Sequence, residues 1–251
     1  MSARITPLRL QAFEQLPKHA RRCVFWELDP ATLQGPESRQ DHLADPEFEK
    51  EAWLSMVMLE WGSCGQLAVE CGPDVDDALA IADDAHCLGY AFYAPPRAVP
   101  RARHFPTGPV SADAVLLTSL GVESSADADG LTRHLMAAVV ADLVRRGVQA
   151  LEAFGRTAEA SELSEPHAVP LELRPAVEVL GDCSVEQCVI DADFLLDAGF
   201  TVVAPHPYFP RLRLELEQGL GWKASVEAAL ERLLESAQLQ QPVGAGASPC
   251  V

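Results

Sequence analysis

Basic side chains are scarce in this chain. Lysine and arginine number 19 against 37 aspartates and glutamates, for a formal net charge of −18. Such a field repels polyanions, so neither nucleic acid nor an anionic membrane surface is expected as a partner. A cationic substrate, an amine or a basic peptide, suits it; acidity that serves solubility alone is the other reading. Long apolar runs are missing too. No stretch of 18 apolar residues occurs and none follows Met1 closely, so neither a membrane span nor a secretory leader is expected, and the protein is expected to be cytoplasmic. The seven cysteines are an odd number and include no C-x-x-C pair. In a reducing compartment they are expected as buried thiols. The pairs Cys64/Cys71 and Cys183/Cys188, with His86 beside Cys87, match no usual zinc spacing, so no metal is expected. A Ser-His-Asp order, H-E-x-x-H, a P-loop and a dinucleotide fingerprint are all absent. Hydrolase, metalloprotease and nucleotide-kinase readings therefore lack support.

What is present is core. At 251 residues and 48% hydrophobic content the chain can bury a large one. Residues 21–28 read as a first strand, and a polar loop leads to Asp45. Pro46 opens a helix to Trp61 whose apolar residues Phe48, Ala52, Trp53, Met56 and Leu59 recur at helical spacing. Strands over 65–71 and 87–93 flank an acidic loop, and Pro95 and Pro96 stop the second. The segment 97–109, with Arg97, Arg101, Arg103 and His104, is a locally basic stretch. It reads as an exposed loop or, alternatively, as a clamp on phosphates.

An apolar strand from Ala114 to Val122 then enters a small acidic loop. A helix from Leu131 to Arg146 follows, with Leu131, Leu135, Val139 and Leu143 on one row and Met136, Val140 and Val144 on the next, and Gly147 ends it. After a strand over 151–155 and an irregular insertion over 156–181 come a helix over 188–198 and a hairpin of 201–204 with 211–216. An amphipathic helix over 223–239, with Val226, Leu230, Leu233 and Leu234 apolar, precedes a tail over 240–251 expected to be disordered.

The run Val122-x-Ser124-x-x-Asp127-Ala128-Asp129-Gly130-Leu131-Thr132 resembles the pyrophosphate loop of the GNAT superfamily of N-acetyltransferases, V-x-P-x-x-(R/Q)-G-x-G-(I/L)-(G/A). Phe194-Leu195-Leu196-Asp197-Ala198-Gly199-Phe200 is similar to that family's F-Y-x-x-x-G-F signature. The resemblance covers residues 21–217, leaving 1–20 as an N-terminal extension and 218–251 as the terminal helix and tail. It implies an α+β fold in which a mixed, mostly antiparallel central sheet is flanked by helices and splays between its fourth and fifth strands. It also implies acetyl-CoA as co-substrate, with Leu120, Gly121, Val122, Asp127, Ala128, Asp129, Gly130, Leu131 and Thr132 around it. A helix start after a glycine turn suits phosphate, because its first amides lack intrahelical partners.

Several residues depart from the family pattern. Asp127 stands where relatives carry arginine or glutamine, and Thr132 ends the loop. A carboxylate about 5 Å from a phosphate charge costs roughly 3 kcal/mol at an effective dielectric near about 20. Asp129 is suited to cap the helix, occupying amides a phosphate would use. Leu195 stands where many relatives have a tyrosine acid.

Candidate bases are Glu60, Glu123 and Glu152, each of which also reads as a surface or capping carboxylate; Tyr93 and His104 are candidate acids, Tyr93 also reading as a sheet aromatic. The expected activity is acyl-CoA-dependent N-acyl transfer to an amine of a cationic small molecule or protein. The rival reading is a noncatalytic GNAT-like module for binding or regulation that has lost or weakened acetyl-CoA binding. The resemblance leaves room for a homo-oligomer.

Overall fold

Period-two strands and apolar runs between turn residues build a sheet whose interior strands are covered on both faces. The computed structural model describes residues 3–33, 45–70, 86–123, 128–160 and 184–216. The described residues up to Leu216 belong to one compact unit. The loop over 74–84, the acidic turn 124–127, most of the 156–181 insertion and everything expected beyond Leu216 lie outside the described residues.

The strands are β1 (Ala3–Pro7), β2 (Gly65–Glu70), β3 (Cys87–Ala94), β4 (Ala114–Val122), β5 (Ala150–Arg156), β6 (Ile190–Asp191), β7 (Thr201–Ala204) and β8 (Arg211–Glu215). Their order is β1-β2-β3-β4-β5-β8-β7, with β6 paired to β5. Every neighbouring pair is antiparallel except β4–β5 and β5–β6, which are parallel. The helices are α1 (Lys18–Arg22), α2 (Pro46–Trp61), α3 (Ala128–Arg145), α4 (Val185–Cys188) and α5 (Ala192–Asp197). No helix among the described residues is long and apolar enough to cross a membrane.

One face of the sheet is closed by α3, whose Leu135, Met136, Val139 and Leu143 are buried as their spacing predicts. Gly147, at φ +76°, ends the helix. The amides of Gly147 and Val148 turn back to the carbonyls of Val144 and Leu143, satisfying groups the helix leaves open. The opposite face carries α1, α2 and an aromatic cluster in which Trp26 stacks on Phe154 at 5.4 Å and Phe105 meets Phe154 at 4.6 Å.

Five expectations are corrected. Residues 21–28 are not a strand: α1 ends at Arg22 and a turn buries Val24, Phe25 and Trp26. The outer edge of β2 is already paired with β1, so residues 3–7, read as part of an extension, belong to the sheet. The buried side of α2 is Lys50, Trp53, Leu54 and Val57, while Phe48 and Leu59 are 64% and 90% exposed. The spacing 50, 53, 54, 57 is a regular helical stripe, hidden in the sequence because it starts with a lysine. The segment 97–109 is only in part an exposed loop: Arg97, Arg103 and His104 are exposed, but Val99, Arg101, Ala102 and Phe105 are buried, and the Arg101 guanidinium donates to the Phe25 carbonyl. Finally, α3 begins at Ala128, so Asp129 and Gly130 stand inside its first turn instead of ahead of it.

Candidate active site

Two irregularities of the sheet create the site. β4 and β5 pair only through Ala114↔Ala150, Val115↔Leu151 and Leu116↔Glu152. Beyond that β4 continues to Val122 with β3 on one side, and no strand pairs its other edge among the described residues. The sheet therefore splays between the fourth and fifth strands, as the resemblance implies. Short β6 lies in the opening, paired to β5 at Gly155 and Arg156.

The second irregularity is a bulge. Tyr93 faces Leu117 and Phe92 faces Ser119, so Thr118 is the extra residue on β4. Its hydroxyl donates to the Phe92 carbonyl at 3.2 Å and pins the distortion. The bulge shifts the side-chain alternation, and Leu117 and Leu120 consequently both pack toward the α3 face. Just past it, Gly121 lies against Tyr90, where an added Cβ would meet the ring at 2.6 Å. Only glycine lets that ring lie on the strand.

The opening is a cavity of about 190 Å³, bordered by β4 from Ser119 to Val122, Thr132 of α3, Arg156 and the segment from Glu186 to Asp191. Thr132 and Phe194 are shared with a second hollow of about 680 Å³ between α3 and α5, which Met136, Val140 and Leu214 make apolar. Arg156 pairs with Asp191 at 3.0 Å. The Asp191 side chain also caps α5, accepting from the amides of Asp193 and Phe194 at 3.0 and 3.2 Å.

Of the expected cofactor residues, Leu120, Gly121, Val122 and Thr132 border this cavity. Leu131 is buried and packs with Leu135. Ala128, Asp129 and Gly130 form the start of α3, and Asp127 lies outside the described residues. The candidate acids and bases are engaged elsewhere. Glu60 is exposed and pairs with Arg97 at 3.8 Å, and Glu123 pairs with His86 at 2.8 Å. His104 lies 3.3 Å from Asp29.

Glu152 is wholly buried on β5, accepting from the Ser111 amide at 3.1 Å and from Arg211 and Arg213 at 2.7 and 3.2 Å. Burial works to raise its pKa, but the Ser111 and Arg211 hydrogen bonds outweigh it and hold the carboxyl below the ordinary value. A carboxylate so held is a weak base.

Tyr93, also wholly buried, donates to Asp142 at 2.8 Å and accepts from Gln66 at 3.0 Å. Burial first, then the facing Asp142 charge, pushes the phenol above its usual pKa. Asp142 in turn binds Arg146, which donates to the carbonyls of Trp61 and Ser63, so Tyr93 anchors α3 to the end of α2. Leu195 is fully buried, so α5 offers no hydroxyl where relatives carry the tyrosine.

Sequence reasoning missed Ser119, Arg156, Asp191 and Cys188 at the cavity. The polar pair Thr118-Ser119 inside an apolar strand was the available sign of the bulge.

No family model and no curated protein matches the chain. Solved structures do. PaiA N-acetyltransferase from Thermoplasma acidophilum, in complex with coenzyme A, is 12% identical over 86% of this chain and 99% of its own, with a TM-score of 0.44. An N-acetyltransferase from Staphylococcus aureus Mu50 is 10% identical over 86% of this chain and all (100%) of its own, with a TM-score of 0.45. The ribosomal-protein-S18-alanine N-acetyltransferase from Escherichia coli is 11% identical over 86% and 95%, with a TM-score of 0.39. Likenesses of this degree supply no catalytic residue and no substrate. The mixed, mostly antiparallel sheet and its splay after Leu116 are the arrangement that the sequence resemblance implies.

Proposed function

We propose that the opening between β4 and β5 binds the pantetheine arm of an acyl-CoA and that the protein transfers the acyl group to an amine. The observation that carries this reading is the unpaired edge of β4 from Ser119 to Val122 beside an open cavity. Alternate amides and carbonyls of such an edge take up an extended amide-bearing chain as a further strand would. The bulge at Thr118 immediately precedes the cavity-lining residue Ser119, and an amide beside it stabilises the oxygen of the collapsing thioester. Thr132 and the first turn of α3 lie toward the phosphates. The thioester supplies the activated acyl group, and this chain's residues bind and orient it.

With Glu152 and Tyr93 committed to the scaffold, the chain contributes alignment and backbone hydrogen bonds, and the amine loses its proton to solvent. Positioned proton transfer contributes about 10²–10⁴-fold in enzymes that have it. Transfer here is therefore slow and rises with pH as the amine deprotonates. The net charge of −18 favours cationic acceptors, polyamines or basic peptide N-termini.

A second reading, a noncatalytic acyl-CoA-binding module, is favoured by the same engaged carboxylates and by Leu195. Coenzyme A release with acetyl-CoA and a panel of amines separates the two. Release that saturates with cationic amines, exceeds that with neutral amines and climbs with pH is expected. No release above the protein-free rate at any pH, in a protein that binds acetyl-CoA, would leave the module.

A further inference from the structure

His19, Cys23 and Cys188 converge although 165 residues separate the two cysteines. His19 sits in α1 and Cys23 caps its end four residues later, a spacing that turns both side chains to one side. Cys188 ends α4, and its sulfur lies 3.6 Å from that of Cys23. A ring nitrogen of His19 and the two sulfurs all lie within 4.8 Å of one another. Tetrahedral zinc, with bonds of about 2.0–2.3 Å, spaces such ligand atoms by about 3.3–3.8 Å. Contraction by roughly 1 Å brings the three into that geometry.

The surroundings support a cation here. The His19 ring is hydrogen-bonded to the Gln187 backbone. A bond to a carbonyl fixes the imidazole tautomer and leaves the other nitrogen its lone pair, as metal-binding histidines require. Lys50 is neutralised by its buried ion pair with Glu27. One Glu27 carboxylate oxygen is buried without a hydrogen-bond partner. One obstacle is built in: Cys188 is disulfide-bonded. Cys188 also borders the β4–β5 cavity, which gives a small reductant a way in.

We propose that His19, Cys23 and Cys188 form a binding site for a zinc-class divalent cation, opened when a dithiol reductant reduces the disulfide at Cys188. The reductant's two thiols supply two electrons and two protons. The S–S bond at Cys188 breaks, both of its sulfurs become thiols, and the reductant closes its own disulfide. The metal then displaces the protons of the Cys23 and Cys188 thiols, takes a His19 ring nitrogen as third ligand and keeps water in a fourth position. Two thiolates and an imidazole select zinc over magnesium or calcium. Because α4 and Cys188 border the cavity, the metal would tie α1 to its wall.

Cobalt(II) titration of the full chain tests this, since thiolate-to-cobalt absorption reports sulfur ligation. The protein is reduced with a dithiol, freed of it anaerobically and titrated beside the oxidised protein. Expected are a band saturating at one equivalent in the reduced protein, no such band in the oxidised protein, and affinity at least tenfold weaker in Cys23→Ser and in His19→Asn. Far-UV circular dichroism without metal establishes that each variant is folded, and either folded variant suffices. No saturable band after reduction, an equal band before it, or undiminished affinity in a folded variant overturns the proposal.

Discussion

Glu152→Ala is expected to lower the free energy of unfolding by about 3–5 kcal/mol, the range for removing one partner of a buried ion pair. The loss comes from what is left behind. Arg211 and Arg213 are only 16% and 15% exposed at the side chain, and both would face a pocket without its carboxylate. The Ser111 amide would lose its acceptor as well. Urea unfolding read by circular dichroism measures the change.

The same residue fixes a pH dependence. Its folded pKa lies below its unfolded value, so the unfolded chain binds the proton more readily. Its contribution is fully present above the unfolded pKa of about 4.3 and is lost as pH falls through the lower folded value. Glu152→Gln should flatten that acid limb relative to the parent.

Lys50→Met is expected to cost a similar amount, about 3–5 kcal/mol, by leaving Glu27 charged and unpaired in the core. Lys50 and Glu27 side chains are 2% and 3% exposed. The Lys50 ammonium also lies 4.7 Å from the Phe92 ring centroid and 5.3 Å from that of Trp53. A methionine of similar length keeps the packing, so the loss reports the charge. The double variant Lys50→Met/Glu27→Leu should regain most of it, because an apolar pair of similar volume replaces a buried ion pair at little cost. A double variant as unstable as Lys50→Met alone would show that the pair's geometry, not its charge, holds α2 to the 24–28 turn.

Where one face of an element was simply apolar, the sequence was legible. The strands over 65–70, 87–94, 114–122 and 150–156 and the stripe on α3 follow from runs and periods alone. The two short family-like motifs pointed to the order of elements and the splay. Lys50 concealed the α2 stripe, because a charge in the core is invisible until its partner, Glu27, is brought beside it. Arg101 concealed the burial of Val99, Ala102 and Phe105 in the same way, its guanidinium satisfied by a carbonyl 76 residues earlier. Residues 21–28 read as a strand because Val24, Phe25 and Trp26 are apolar, yet three residues fit a buried turn equally well. The candidate acids and bases were chosen for their positions near the expected cofactor strand. Whether a carboxylate there is available or clamped depends on arginines such as Arg211 and Arg213, far along the chain.

Calorimetric titration of acetyl-CoA into the full chain, parallel with Ser119→Trp, tests the central claim most directly, since the indole would occupy the opening beside the unpaired edge of β4. One saturable site with micromolar affinity is predicted for the parent. In a folded Ser119→Trp variant the affinity should fall by at least about tenfold, roughly 1.4 kcal/mol. Silence up to millimolar acetyl-CoA, or binding that Ser119→Trp leaves unchanged, would contradict the assignment of this cavity to an acyl-CoA.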